Sequence, residues 1–532
     1  MPAVRSTVTS ALAICAALFL SGFPALALGE TASSASNSVS SWTALRDVAR
    51  DGPRRFVTDH AGVFDGRRLD YRATVEETIL VDAAGRPATS IFTTSYVLTG
   101  RGASPQRPVI FVFNGGPGGA SDYLHLGGLG PIRMESFTVA AQADPTTRLV
   151  PNTASVLGAA DLVFIDPPET GWGRPLPGAD PKTFRGIDAD AYGVGQFILH
   201  WLIRNKRLEA PKYLAGESYG GHRSIALARD LPRATPNVLF DGIILIAPGL
   251  TYNGPDAVVI RHLPDALQGV GRIQDAAALG WYHGKVDNKG QTLADAIAKA
   301  REFSAGEYAT AMLEGNRLTP EARRHVAQRL SELTGLTPEY FLQNNLRVGD
   351  LRHDLLKDRG LVLDQFDGRE TAPASAVPQH DRDRDFEAAF RGVTDNMIAY
   401  GVRDLGVKGL ERYRTVVPDP YGFEETWQYF KAPADGMDLL LGELMTSQPK
   451  LRLLAPVGLF DTTGSAGETE AQLARLPVPA ERIAVTYYPA GHMPYGSVEG
   501  MRQLNADIGA FVRGTPVAQR VIPQLAPAQA PR

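Results

Sequence analysis

Short apolar runs closed by glycine or proline alternate, through the first half of the chain, with longer stretches of helical spacing. Pro108–Phe113, Asp161–Asp166, Lys212–Ala215 and Phe240–Ala247 are almost wholly apolar, the pattern of strands buried on both faces of a parallel sheet. Ahead of them, Thr74–Val81 and Thr89–Leu98 predict two strands around a turn at Asp82–Pro87. Asp188–Arg204 and the segment around Arg223–Ala228 have helical spacing. Strands alternating with helices predict a mostly parallel α/β sheet. Near Tyr252 the strand pattern stops, and Thr292–Ala300, Glu307–Glu314, Pro320–Leu333 and Asp383–Ala399 read as helices. It resumes with a strand at Leu451–Val457, a helix at Gly467–Leu476, a strand at Ile483–Tyr488 and a last helix at Val498–Val512. The expected organisation is a first core part over 46–251, a mainly helical insertion or cap over 252–448, and a second core part over 449–514.

The chain ends read differently. Residues 1–27 have the form of a signal peptide: Arg5, an apolar stretch over 11–20, and the small-x-small site Ala25-Leu26-Ala27. A membrane anchor is the rival. Gly22 and Pro24 interrupt the apolar run and no basic cluster follows, so cleavage is expected, with no stable membrane association afterwards. Residues 28–45 read as a flexible linker and 515–532, rich in Pro, Ala and Gln, as a disordered tail. The sole cysteine, Cys15, lies inside the signal, which leaves a mature chain without disulfides. That combination points to a periplasmic or secreted bacterial protein held by its core. The remaining composition, 44% hydrophobic and 21% charged, is that of an ordinary globular chain. With 54 basic against 58 acidic residues there is no basic footprint for nucleic acid. Oligomeric state is not fixed by the sequence.

Chemistry enters at Gly216-Glu217-Ser218-Tyr219-Gly220, which follows a predicted strand and opens a predicted helix. This is the context of a nucleophile elbow, where a sharp turn lifts a serine hydroxyl clear of the sheet. A five-residue pattern with two glycines arises easily by chance in a chain with 54 glycines, so its weight rests on what accompanies it. A serine needs a base on its hydroxyl and an acid to orient that base. His492 stands just past the last predicted strand and Asp461 just past the one before it. Alone, His492 reads as a loop histidine and Asp461 as a cap for Thr462-Thr463. The chain order Ser218, Asp461, His492 reverses both readings, because it is that of the α/β hydrolases. The loop Asn114-Gly115-Gly116-Pro117-Gly118 supplies the third requirement, backbone N–H donors for an oxyanion. Gly116 and Tyr219 are the expected donors; the alternative for the loop is a plain tight turn. No Gly-Lys-Ser/Thr follows the loop, which excludes a phosphate cradle. No His, Asp and Glu set has metal-ligand spacing, so neither metal nor cofactor is expected.

Asn114-Gly115-Gly116-Pro117-Gly118-Gly119-Ala120-Ser121 and Gly216-Glu217-Ser218-Tyr219-Gly220-Gly221-His222 resemble the two long motifs of the serine carboxypeptidases. Gly130-Pro131, Phe164–Pro168 and Gly491-His492-Met493 match as well, and the resemblance covers about 95–247 and 451–513. It implies an α/β-hydrolase fold and a metal-free exopeptidase that removes C-terminal residues from peptides through an acyl-enzyme. It also implies that Asn114 and Glu217 hold the substrate's terminal carboxylate. Two carboxyl groups can share a site only when one is protonated, which raises an apparent pKa and favours binding at acidic pH. The alternative for Glu217 is a brace for the elbow. Two positions depart from the family pattern. The cysteine after Pro-Gly is Gly119, and the second acidic residue expected two positions before Gly130-Pro131 is Gly128, with Glu135 as the candidate substitute.

The rival functions are an esterase or acyltransferase with the same triad, and a catalytically silent binding protein. Of the other residues nearby, Asp166 reads as a turn cap before Pro167, with a functional role as the alternative, His125 and His222 as packing or loop residues, and Trp172 as a core aromatic, with lining of the substrate groove as the alternative.

Overall fold

The computed structural model describes residues 48–250, 264–287, 290–377, 385–419 and 436–517, with isolated positions inside 422–427 and 522–527. The predicted signal (1–27), the linker (28–45) and most of the tail (515–532) lie outside the described residues.

The buried apolar runs form the centre of a ten-stranded sheet. Its principal strands are β1 (Arg50–Phe64), β2 (Arg67–Val81), β3 (Pro87–Leu98), β4 (Val109–Phe113), β5 (Asp161–Ile165), β6 (Lys212–Glu217), β7 (Gly242–Ile246), β8 (Arg452–Gly458) and β9 (Ile483–Tyr488). They lie in the order β1-β2-β3-β5-β4-β6-β7-β8-β9, with the short strand Arg174–Pro175 beside β3. The first three pair antiparallel and β3 joins β5 antiparallel; every pairing from β5 through β9 is parallel. Crossover connections of parallel strands carry α1 (Ile187–Arg204) and α2 (Tyr219–Ala234). This is the α/β-hydrolase architecture that the sequence predicts.

Alternation along the central strands divides their side chains between two cores. Val109, Phe111 and Phe113 of β4 face the side covered by α1 and α2, together with Leu214, Val163 and Ile165. Ile110, Val112, Leu162, Phe164 and Ala215 face the other side. Between β7 and β8 the described chain is mainly helical. Helices α3 (Pro264–Tyr282), α4 (Leu293–Phe303) and α5 (Pro320–Thr334) share a third core with Leu459 and Phe460. Helix α6 (Arg391–Arg403) instead packs Val393, Met397 and Tyr400 into the core on the second face of the sheet. Helix α7 (Met437–Ser447) joins the α1–α2 side through Met437, Leu441 and Met445. After β8 come α8 (Ala466–Leu473) and, after β9, α9 (Val498–Arg513). No described helix is long and apolar enough to cross a membrane.

Candidate active site

Parallel strands end on one edge of a sheet, and β4, β6, β8 and β9 lead directly to Asn114, Ser218, Asp461 and His492. At the elbow, Ser218 sits at φ +55° and ψ −125°, a strained position for a side-chain-bearing residue. It is held there from both sides. Its N–H donates to the Ile246 carbonyl at 2.9 Å, and a Cβ at Gly216 would lie 2.0 Å from the Gly220 carbonyl oxygen. The turn places Tyr219 at the head of α2, where amide N–H groups face out of the helix.

The loop over 114–118 meets this turn at Gly115. A Cβ there would stand 2.6 Å from the Tyr219 nitrogen and 2.9 Å from the Ser218 Cβ, so only glycine lets the two backbones approach. Gly116 follows at φ +110° and bends the loop away. Beneath them lies a pair that sequence reasoning missed. Arg223, one turn into α2, donates from Nε to Asp190 at 2.7 Å and from Nη1 to the Asn114 carbonyl at 2.7 Å. Both side chains are fully buried. Arg223 thereby ties the elbow helix, α1 and the loop into one unit.

Asp461 and His492 are joined at 2.8 Å through Oδ2 and Nδ1. The other Asp461 oxygen, Oδ1, accepts from the Thr463 and Gly464 amides at 2.9 and 2.7 Å, so the carboxylate caps its turn and pairs with His492 at the same time. His492 is fixed further by its own N–H, which donates to the Phe366 carbonyl at 2.7 Å. Burial alone would lower the imidazole pKa; the Asp461 carboxylate, by charge and hydrogen bond, reverses this and the net direction is upward. Behind Asp461 the loop is clamped from α3. Asp275 accepts from the Ser465 hydroxyl and from the Gly467 amide.

Glu217 is 4% exposed. Asn114 Nδ2 donates to its Oε1 at 2.9 Å and the Tyr495 hydroxyl to its Oε2 at 2.5 Å. Burial pushes its pKa up to about 7, against the opposing pull of His492 and of these two donors. The charges of His492 and Asp461 also act on it, the first lowering and the second raising its pKa. Asn114 is itself oriented by the Leu124 amide, which donates to Oδ1 at 3.0 Å.

Several expectations change. Glu135 does not reach this cluster: it is paired with Arg148 at 2.7 Å in an exposed hairpin. The space a side chain at Gly128 would need is taken by Tyr495, whose ring stands 3.2 Å from a Cβ built there. Asp166 is no local cap. It is buried, and its Oδ1 accepts from the Ser121 amide and the Tyr413 hydroxyl, each at 2.9 Å. Tyr413 belongs to a strap over 413–417 that the sequence did not reveal. Backbone hydrogen bonds Ala120 N–H to Thr415 O and Val417 N–H to Gly118 O, at 2.8 and 3.0 Å, lay it across the Gly-rich loop. Thr415 donates to the buried Asp122. His125 is a core residue stacked on Phe164 and bonded to Tyr96 at 2.7 Å, and His222 stacks on Tyr219. Trp172 packs between Phe92 and Tyr413 as a core aromatic. Among the described residues no three His, Cys, Asp or Glu side chains are grouped to hold a metal ion.

Sheet, elbow and strand-end residues define a serine hydrolase of the α/β-hydrolase fold. Residues 93–253 match the family model described as serine carboxypeptidase. No curated protein matches the sequence. Solved structures that do resemble it include the prohormone-processing carboxypeptidase Kex1(delta)p of Saccharomyces cerevisiae, at 14% identity over 80% of this chain and 87% of that one, TM-score 0.47. A thermophilic esterase from Thermogutta terrifontis matches at 15% identity over 80% and 94%, TM-score 0.34. Proline iminopeptidase from Mycobacterium smegmatis matches at 14% over 80% and 95%, TM-score 0.33.

Proposed function

We propose that this protein is an exported serine carboxypeptidase that removes C-terminal residues from peptides. Ser218 attacks the scissile carbonyl and forms the acyl-enzyme. His492 takes the hydroxyl proton and passes it to the leaving amine, while Asp461 fixes the imidazole tautomer. N–H groups of Tyr219 and Gly116 stabilise the oxyanion. Peptide is the partner this chemistry requires, and the site residues call for no cofactor.

The observation that carries the exopeptidase reading is the buried Glu217 one residue from Ser218, with Asn114 bonded to it. A carboxyl group that keeps its proton at mildly acid pH donates to a substrate carboxylate, and Asn114 Nδ2 is a second donor alongside. A second reading has its own support. Both Glu217 oxygens already accept hydrogen bonds within the protein, which suits a brace for the elbow in an esterase or acyltransferase.

Mass spectrometry of a peptide mixture after incubation separates them. A carboxypeptidase yields ladders shortened from the C-terminus and strongly prefers a peptide with a free C-terminus to its amide. Equal turnover of acid and amide would favour the second reading. Ser218→Ala is expected to lose turnover and labelling by a fluorophosphonate; activity retained in that variant would overturn the mechanism, and a folded wild-type protein that is never labelled would make it a binding protein.

A further inference from the structure

Two glycines, Gly127 and Gly128, lie in a tight π-helical turn at Tyr123–Leu129. They leave a slot, and Tyr495 fills it. A Cβ on Gly127 would fall 2.6 Å from Tyr495 Cε2, and one on Gly128 would fall 3.2 Å from its Cγ. The slot is rigid: the Gly128 carbonyl accepts from both Asn152 and Asn505 side chains at 2.9 Å. Phe137 packs on the ring, centroids 5.5 Å apart. Tyr495 is 1% exposed, so the ring has one pose, and that pose delivers its hydroxyl to Glu217 Oε2 at 2.5 Å. Asn114 holds Oε1.

We infer that Tyr495 is a positioning residue of the substrate-carboxylate pocket, whose hydroxyl orients Glu217 and sets the pH range over which that carboxyl receives a peptide's C-terminus. The inference rests on the carboxypeptidase reading above. A phenol differs from a carboxyl in this place in one decisive way: buried here it stays protonated well past neutrality and always donates. It brings no second negative charge toward the substrate. Recognition of the terminal carboxylate is therefore governed by one carboxyl, Glu217. The groups that face Glu217 are Tyr495, Asn114, His492 and Asp461, and Tyr123 stands close to Tyr495.

A hydrogen bond donated to a carboxylate favours its charged form. Removing the phenol hydroxyl therefore keeps Glu217 protonated to higher pH. In Tyr495→Phe, the pH at which KM for a free-acid peptide begins to climb is expected to move upward by about one unit. KM for the matching peptide amide has no such midpoint in either protein. In a Glu217→Gln background the carboxyl no longer titrates, so adding Tyr495→Phe is expected to shift no midpoint, and a shift that persists there overturns the inference. A Tyr495→Phe profile that coincides with wild type, or an equal shift for the amide, overturns the inference while leaving the carboxypeptidase reading intact. Wild-type protein that does not distinguish acid from amide overturns that reading, and the inference with it.

Discussion

Asp461 shows how much one carboxylate is asked to do. Oδ1 closes the turn by accepting two backbone amides, and Oδ2 holds His492. Asparagine preserves the first task and abolishes the second, because its amide nitrogen cannot accept from the imidazole Nδ1–H. Asp461→Asn is therefore expected to fold with nearly the wild-type melting temperature and to lose about four orders of magnitude in kcat. A thermal scan beside steady-state kinetics checks both halves; a variant that merely unfolds, or one within tenfold of wild-type kcat, contradicts the assignment. The placement of these residues was legible in the sequence, since Ser218, Asp461 and His492 each follow a short apolar run and the structure sets all three past the ends of parallel strands. Tyr495 was not. A tyrosine three residues past His492 carries no pattern, and its meaning comes from a slot left by Gly127 and Gly128 in a distant segment. Asp166 was misread for a related reason. Asp before Pro suggests a local cap, whereas its partners are Ser121 and, from the strap, Tyr413.

At the level of elements, the parallel strands were readable because burial on both faces leaves an unbroken apolar run. Strand β1 was not readable. Its residues include Gly52, Pro53 and Gly62, and as the edge strand it is at best half-buried on alternate residues over most of its length, an environment in which proline and charge are tolerated. The joint between α2 and the Gly-rich loop over 114–118 was equally hidden. An arginine on a helix reads as surface, yet Arg223 is buried against Asp190 and the Asn114 carbonyl, and its guanidinium lies over the rings of Phe113 and Tyr219. Removing one member of such a pair strands a buried charge and costs about 3–5 kcal/mol. Arg223→Ala is expected to lower unfolding free energy by that order in a denaturant titration. Because the loop loses its anchor, turnover should fall even where the variant remains folded. A loss under 1 kcal/mol would mean that the contact between helix and loop is carried elsewhere.

Across the whole molecule the buried carboxyls act together. Burial pushes Asp122, Asp166, Glu217 and Asp275 each up to about 7, and two of them, Asp122 and Asp166, lie beneath the strap over the Gly-rich loop. A carboxyl that binds its proton more tightly folded than unfolded stabilises the fold at low pH. That contribution is lost as pH rises from about 4 through about 7. His492, with its pKa raised, works in the same direction. His125 and His222 oppose it: burial holds them down to about 3 and about 4, so the stability they withhold in acid returns as pH climbs toward about 6.5. Burial also raises Asp190 and Glu468 and lowers His60 and His283, and the six raised carboxyls outweigh the four lowered histidines between about pH 5 and 7. The melting temperature is therefore expected to fall from about pH 5 to about pH 8, and the fall should be shallower in Asp166→Asn, whose amide oxygen still accepts from Ser121 and Tyr413 but no longer titrates. A fold that is firmest in mild acid suits the proposed carboxylate pocket, in which Glu217 would hold a proton to receive a peptide's C-terminus, since the same burial produces both. A melting temperature that rises across that interval, or an Asp166→Asn profile as steep as wild type, would show that these carboxyls are ionised at neutral pH and that burial does not dominate their titration.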